Sequence, residues 1–189
     1  MFADKSLLQK RYRAIVFGSI KENAGTITEA VDGTPSLSKY SVVTRTPVPP
    51  SLHFPAGGHI TTVDLWPISG RTHQLRKHML HLGHPIVGDH RYASTYSQKG
   101  AKKQRYDYFE EGSAAHSRLC LHALQVTFVH PFLQGGVSYD VVIPEPEEYE
   151  RVRKEMGGGQ GGEGERKRMR GGGEEDGRGR EVGREEGDA

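Results

Sequence analysis

Between a Ser69-Gly70 turn and Gly83, apolar residues return at Leu75, Met79 and Leu82, four and three positions apart. That spacing draws one stripe on an amphipathic helix. It predicts a helix from Arg71, N-capped by Ser69, stopped by Gly83 and kept from resuming by Pro85. Most of the remaining chain reads as strands. Residues 12–18, 26–31, 40–45 and 59–66 are short β-rich runs bounded by glycine or proline. In the last of them Val63 and Leu65 fall on one face, Thr62 and Asp64 on the other. Residues 121–129 and 137–143 predict an antiparallel pair joined through Pro131-Phe-Leu-Gln-Gly-Gly136. Leu7 and Leu8 read as the end of a helix. Residues 146–156 read as a final helix, acidic early and basic late as the helix dipole favours. Strands outnumber helices without alternating regularly with them, which predicts an α+β class: a mainly antiparallel sheet with a few packed helices.

Composition divides the chain. Residues 157–189 hold 13 glycines, no aromatic residue and one β-branched aliphatic, Val182. Such a segment cannot bury enough surface to offset its ordering entropy, so a disordered tail is expected there. It carries seven Lys/Arg and nine Asp/Glu, leaving the body, residues 1–156, with 19 basic and 15 acidic groups. The body is basic and the tail is not. The single cysteine, Cys120, excludes an internal disulfide and a cysteine-based zinc cluster; flanked by Leu119 and Leu121, it reads as a buried, inert thiol. No run reaches the roughly 20 apolar residues of a membrane span, and no signal-peptide pattern opens the chain. An intracellular, reducing location is the expectation, with cytoplasm, nucleus and organelle not distinguished.

Candidate chemistry concentrates around the helix. Residues 71–105 contain eight Lys/Arg, namely Arg71, Arg76, Lys77, Arg91, Lys99, Lys102, Lys103 and Arg105, against one acid, Asp89. That density fits a polyanion such as RNA, and it also fits a solvated basic face. Residues 93–117 predict a loop long enough to be functional or disordered. Its Tyr106, Tyr108 and Phe109 could stack on unpaired bases or cover core. Placed in the first helical turn, Arg71 would sit against the dipole, which suggests a carboxylate or phosphate partner. Five histidines (His73, His78, His81, His84 and His90) share the window, but their spacing matches no metal motif, so no metal is expected. His78 reads as half-buried packing and Asp89 as a hydrogen-bonding loop anchor.

Three motifs in order carry a family resemblance. Gly70-Arg-Thr-His-Gln-Leu-Arg76, followed by His81-Leu-Gly-His-Pro-Ile-Val-Gly-Asp89, resembles the signature of the RluA-type RNA pseudouridine synthases. Lys10-Arg-Tyr-Arg-Ala-Ile-Val-Phe-Gly18 resembles the family's K-x-Y-x-A-x-V-x-G strand. Arg118-Leu-Cys-Leu-His-Ala-Leu-Gln-Val-Thr-Phe-Val-His-Pro131 resembles its R-x-x-LHA-x-x-L-x-F-x-HP strand. The resemblance implies the mixed sheet of that family, with residues 1–156 as the C-terminal part of its catalytic domain. It also implies uridine isomerisation in ribosomal, transfer or messenger RNA, without cofactor or metal, by a monomer. In that chemistry a uridine is flipped from its stack, a carboxylate attacks it, and the base is detached, turned and rejoined through carbon. Carried over by motif, Tyr12 would stack on the uracil and help remove its C5 proton. Arg71 would pair with the nucleophilic aspartate, Leu75 would wall the pocket, and Lys10 and Arg76 would contact phosphate or support the site. Lys77, Lys102 and Lys103 join them as expected RNA contacts. Without the motif, Tyr12 reads as an inward core tyrosine.

The family's H-R-L-D-x-x-T-S-G segment, which holds the nucleophile, should precede the Lys10 motif. None of the six aspartates of residues 1–156 (Asp4, Asp32, Asp64, Asp89, Asp107, Asp140) is followed by that turn, nor are Asp176 and Asp188 in the tail. The expectation is an N-terminally incomplete synthase whose nucleophile lies upstream of Met1. A non-catalytic RNA-binding module and an interaction protein working through its charged tail are the other readings. If the basic window meets RNA, reversing Lys102 and Lys103 to Glu should weaken binding and flatten its salt dependence, since fewer counterions are released. A salt titration of the double variant that overlays the wild type would exclude the loop as a contact surface.

Overall fold

The structure is a computed structural model that describes residues 8–49, 58–92, 118–130, 132 and 136–158. Six strands, β1 (Leu8–Phe17), β2 (Ala24–Ile27), β3 (Ser38–Pro47), β4 (His59–Pro67), β5 (Leu121–Val129) and β6 (Ser138–Val142), form one sheet. Its order is β2-β3-β4-β1-β5-β6, and every pairing among the described strands is antiparallel. Two described helices, α1 (Gln74–His81) and α2 (Glu147–Met156), complete an α+β fold. The expected 93–117 loop, with Lys102 and Lys103, and the tail from residue 159 lie outside the described residues.

Three strand limits differ from the pattern. β1 begins at Leu8, which pairs with Phe128, so Leu8 does not close a helix. β2 ends at Ile27 rather than Val31. Asp32 and Gly33 both take positive φ, 51° and 73°, and the tight turn they make bridges Val31 back to Thr34 instead of along the sheet. β3 runs on to Pro47, opposite His59. Proline is tolerated there because β2 covers β3 only as far as Ser41, so Pro47 has no second ladder to serve.

β4 buries both faces, not one. Ile60, Thr61, Thr62, Val63, Asp64 and Leu65 are all buried. Thr61 is accommodated by donating its hydroxyl to the Gly18 carbonyl at 2.6 Å. Asp64 accepts from Arg13 Nε at 2.9 Å, and Arg13 also reaches Glu145, which in turn pairs with Arg153 of α2. Tyr149, Val152 and Met156, spaced three and four apart, form the buried stripe of α2. Tyr149 then donates its hydroxyl to the Arg13 carbonyl. Thr61, Asp64 and Arg13 are thus paired with each other, with the backbone or with Glu145, as burial requires, whereas the buried Thr62 hydroxyl has no partner among the described residues. Cys120 is buried as expected, and loss of solvation pushes its thiol up to about 12.

Past Ala14, β5 no longer runs beside β1, and residues 85–87 take over. Phe17 N–H donates to the Pro85 carbonyl and Val87 N–H to that of Ile15, both at 2.9 Å. The chain leaves this position through Gly88, at φ 75°. A Cβ there would lie 1.9 Å from the Arg118 carbonyl oxygen, so backbone passes backbone where only glycine fits. Gly88→Ala should therefore cost at least about 1 kcal/mol of stability, checked by urea unfolding. A variant melting with the wild type would show that the crossing of residues 88 and 118 is not close.

Candidate functional site

Register brings the site together. Tyr12 on β1 stands opposite Leu65 on β4, Leu65 opposite Tyr40 on β3, and Tyr40 opposite Gly25 on β2. Residues in one cross-strand row share a face, and Tyr12, Tyr40 and Gly25 of this row line the floor of a cleft of about 1360 Å³, with Leu65 buried between the tyrosines. The loop leading into α1 supplies a wall, with Arg71, His73, Gln74 and Leu75 all lining the cleft. Lys10, Tyr12, Arg71, Leu75 and Arg76, singled out in the sequence, converge there. Leu75 is buried, Tyr12 half-buried, and Lys10 and Arg71 exposed.

The helix does not begin at Arg71. His73, at φ 54° and ψ 28°, is left-handed, so helical geometry cannot extend back through it, and α1 starts at Gln74. Ser69 is not its cap. The Ser69 hydroxyl instead donates to Gln74 Oε1 at 2.8 Å and accepts from Leu37 N–H at 2.8 Å. Gln74 is the residue that sequence reasoning missed. Its Oε1 also accepts from Arg71 N–H at 3.1 Å, and its Nε2 donates to the Leu37 carbonyl and to Ser38 Oγ, each at 2.9 Å. One carboxamide therefore ties the Arg71 backbone to the start of β3. Arg71 owes its position to this tether and lies ahead of the helix, not within its first turn. Its guanidinium has no carboxylate partner among the described residues.

Behind the cleft wall lies a second polar layer. Arg76 grips the buried Asp89 with two hydrogen bonds, Nε to Oδ2 at 2.8 Å and Nη2 to Oδ1 at 2.6 Å. Asp89 also accepts from Tyr92 N–H at 3.1 Å, as a loop anchor should. The Arg76 guanidinium packs 4.8 Å from the centre of the Tyr92 ring, and the Tyr92 hydroxyl is 2.9 Å from His73 Nδ1. Arg76 is thus committed to Asp89, which makes it a support of the cleft rather than a free phosphate contact. Burial, then the nearby Arg76, Arg91 and Lys77 charges, lower the His73 pKa, so this histidine is neutral at pH 7.

Lys77 is not brought to the cleft. Its ammonium sits on the Asp32 carboxylate at 2.6 and 2.7 Å. His78 is fully buried, not half-buried, with Nε2 2.9 Å from the Glu29 carbonyl oxygen. His84 bonds the Phe17 carbonyl through Nδ1. Among the described residues these histidines point to separate partners, and no three His, Cys, Asp or Glu side chains come together as metal ligands. Four cations, Lys10, Lys39, Arg71 and Arg76, line the cleft, and no carboxylate does among the described lining residues. The arrangement is an anion-attracting groove with an aromatic floor, suited to a nucleotide.

The fold is that of a pseudouridine synthase-type domain, as comparisons with known proteins show. The family described as RNA pseudouridylate synthase matches residues 1–81. The dual-specificity RNA pseudouridine synthase RluA of Pasteurella multocida is 34% identical over 146 residues, 69% of this chain and 55% of the relative. The tRNA pseudouridine synthase C of Vibrio vulnificus is 35% identical over 156 residues, 72% of this chain and 58% of the relative. Human RNA Pseudouridylate Synthase Domain Containing 1 superposes with a TM-score of 0.52 at 27% identity, covering 74% of this chain and 55% of that one. This chain belongs to the RluA-type family of RNA pseudouridine synthases. It spans about half the length of the curated relatives it matches.

Removing the Gln74 carboxamide leaves Ser38, Leu37 and Arg71 polar groups without their partner. Gln74→Ala should lower stability by about 1–3 kcal/mol. Thermal or urea unfolding measures it, and an unchanged midpoint would show that the tether is dispensable.

Proposed function

We propose that this chain forms the uridine-binding half of an RNA pseudouridine synthase site. The observation that carries the reading is the meeting of Tyr12, Arg71 and Leu75 in one cationic cleft that lacks a carboxylate among its described lining residues. An unpaired uridine would enter with its phosphates near Lys10 and its base over Tyr12 and against Leu75. Arg71, with its guanidinium free of any described acid, would receive the nucleophilic aspartate, holding it ionised and aimed through two parallel hydrogen bonds. None of the described lining residues supplies that aspartate. The carboxylate attacks C1′ as the glycosidic bond to N1 breaks, the uracil turns, and its C5 bonds to C1′ as the carboxylate is released. The C5 proton leaves with help from Tyr12, and N1 ends protonated, so the product is an isomer and no cofactor or metal is required.

RNA is the partner, and the protein works as a monomer inside the cell. No described helix is long and apolar enough to cross a membrane. The relatives' names include both tRNA and large ribosomal subunit enzymes, so structured RNA of either kind is the substrate class.

Joining a segment that carries the family's H-R-L-D-x-x-T-S-G run ahead of residue 1 should give a protein that isomerises uridine in an RNA pool. In it, Arg71→Lys should lower turnover at least tenfold while changing RNA affinity little, because lysine keeps the charge but loses the planar fork. Equal losses of affinity and turnover would make Arg71 a phosphate contact. Isomerisation by the unfused chain would assign the chemistry to one of its own carboxylates.

A further inference from the structure

Tyr40 stands in the same row as Tyr12, on the far side of Leu65, and lines the same cleft. Ladder spacing of about 4.8 Å per strand sets the two tyrosine backbones roughly 10 Å apart. The side chain of Tyr40 lies along the cleft floor over Gly25. A Cβ on Gly25 would meet Tyr40 Cε1 at 2.6 Å, the hydroxyl oxygen at 2.7 Å and Cζ at 2.8 Å. The ring can lie there only because residue 25 has no side chain.

Covering a strand glycine with an aromatic ring is a common packing device, and a phenylalanine would serve it fully. Tyr40 adds a hydroxyl at a residue only 6% exposed. That hydroxyl makes no hydrogen bond among the described residues, yet it is not sealed in as Thr62 Oγ1 and His78 Nδ1 are. Tyr40 lines the cleft. A nearly buried polar atom ordinarily has a partner, from the protein, from water or from a ligand. Burial, then the charge of Glu22, raise the Tyr40 pKa, so the hydroxyl keeps its proton and can donate as well as accept.

We propose that Tyr40 is a second substrate-binding residue: its hydroxyl, set over Gly25, hydrogen-bonds the nucleoside that lies against Tyr12. This rests on reading the cleft as a uridine site. A base held against Tyr12 turns a polar edge toward Tyr40, whose hydroxyl can both donate and accept. Lys10 and Arg71 only donate. A site that hydrogen-bonds its ligand in a nearly dry setting discriminates against a ligand that lacks the matching group, because the protein atom is then left unpaired.

The test compares two RNA hairpins that differ at one unpaired loop position, uridine in one and an abasic ribose in the other. Each is titrated with the 189-residue chain and with Tyr40→Phe and Gly25→Ala variants. Contacts to the rest of the hairpin cancel in the ratio of the two affinities. The wild type should prefer the uridine hairpin, and Tyr40→Phe should reduce that preference by about five- to tenfold with an unchanged melting temperature. Gly25→Ala, which must push the ring aside while keeping its hydroxyl, should reduce it similarly. A preference that survives both variants would overturn the assignment of Tyr40 and leave the uridine site standing. A wild type that binds both hairpins equally would overturn the uridine site and Tyr40 with it.

Discussion

Four hydrogen bonds on one carboxamide hold the site in shape. Gln74 accepts from Ser69 Oγ and Arg71 N–H, and donates to the Leu37 carbonyl and Ser38 Oγ. The chain leaves β4 at Pro67 and must turn before α1 can start, and this turn has no regular ladder of its own. Ile68 and Ser69 N–H already donate to the Leu37 carbonyl, and the tether extends that anchorage to the Arg71 N–H. With it, the turn is referenced to β3, and β3 carries Tyr40 in register with Leu65 and Tyr12. The wall and the floor of the cleft are thus fixed to one another through the interior of the sheet. Side chains held this way lose little further entropy on binding, which is what a site for a single flipped base requires.

Behind the tether, ionic pairs divide the basic surface into groups that support and groups that remain available. Arg76 is spent on Asp89, Lys77 on Asp32, and Arg13 on Asp64 and Glu145. What faces the cleft without a described acidic partner is Arg71, with Lys10 and Lys39 near it. A count of basic residues along the chain cannot make this distinction, because each partner lies 13 or more positions away and on another element. The distribution favours an anion entering from solvent and a carboxylate meeting Arg71, and both demands coincide in the proposed reaction.

Much of this was legible in the sequence, for reasons that differ by element. The span of β5 and the termination of α1 at Gly83 follow from local rules, alternation in one case and a glycine stop in the other. His84 N–H returns to the Met79 carbonyl and Gly83 N–H to that of Leu80, which completes the predicted C-terminal cap. The convergence of Tyr12, Arg71 and Leu75 followed from motif resemblance, not from spacing. The start of α1 differs from the pattern because Ser69 has the chemistry of a cap, while its actual partners are the Gln74 side chain and Leu37, which lies just ahead of β3 and 32 residues back. Gln74 and Tyr40 were invisible for the same reason. A polar residue on a helix and a tyrosine in a strand carry no local mark of being tied across a sheet or laid over a glycine.

The central claim is that an unpaired uridine lies against Tyr12 on the floor of the cleft. Photocross-linking tests it directly: 5-bromouridine replaces the single unpaired uridine of a bound RNA hairpin, and the attached peptide is sequenced after irradiation. The account predicts attachment at Tyr12, since the halogenated ring reacts with the aromatic group stacked on it, and loss of that product in Tyr12→Ala. Attachment confined to residues outside the cleft, with Tyr12→Ala cross-linking as efficiently as the wild type, would contradict it.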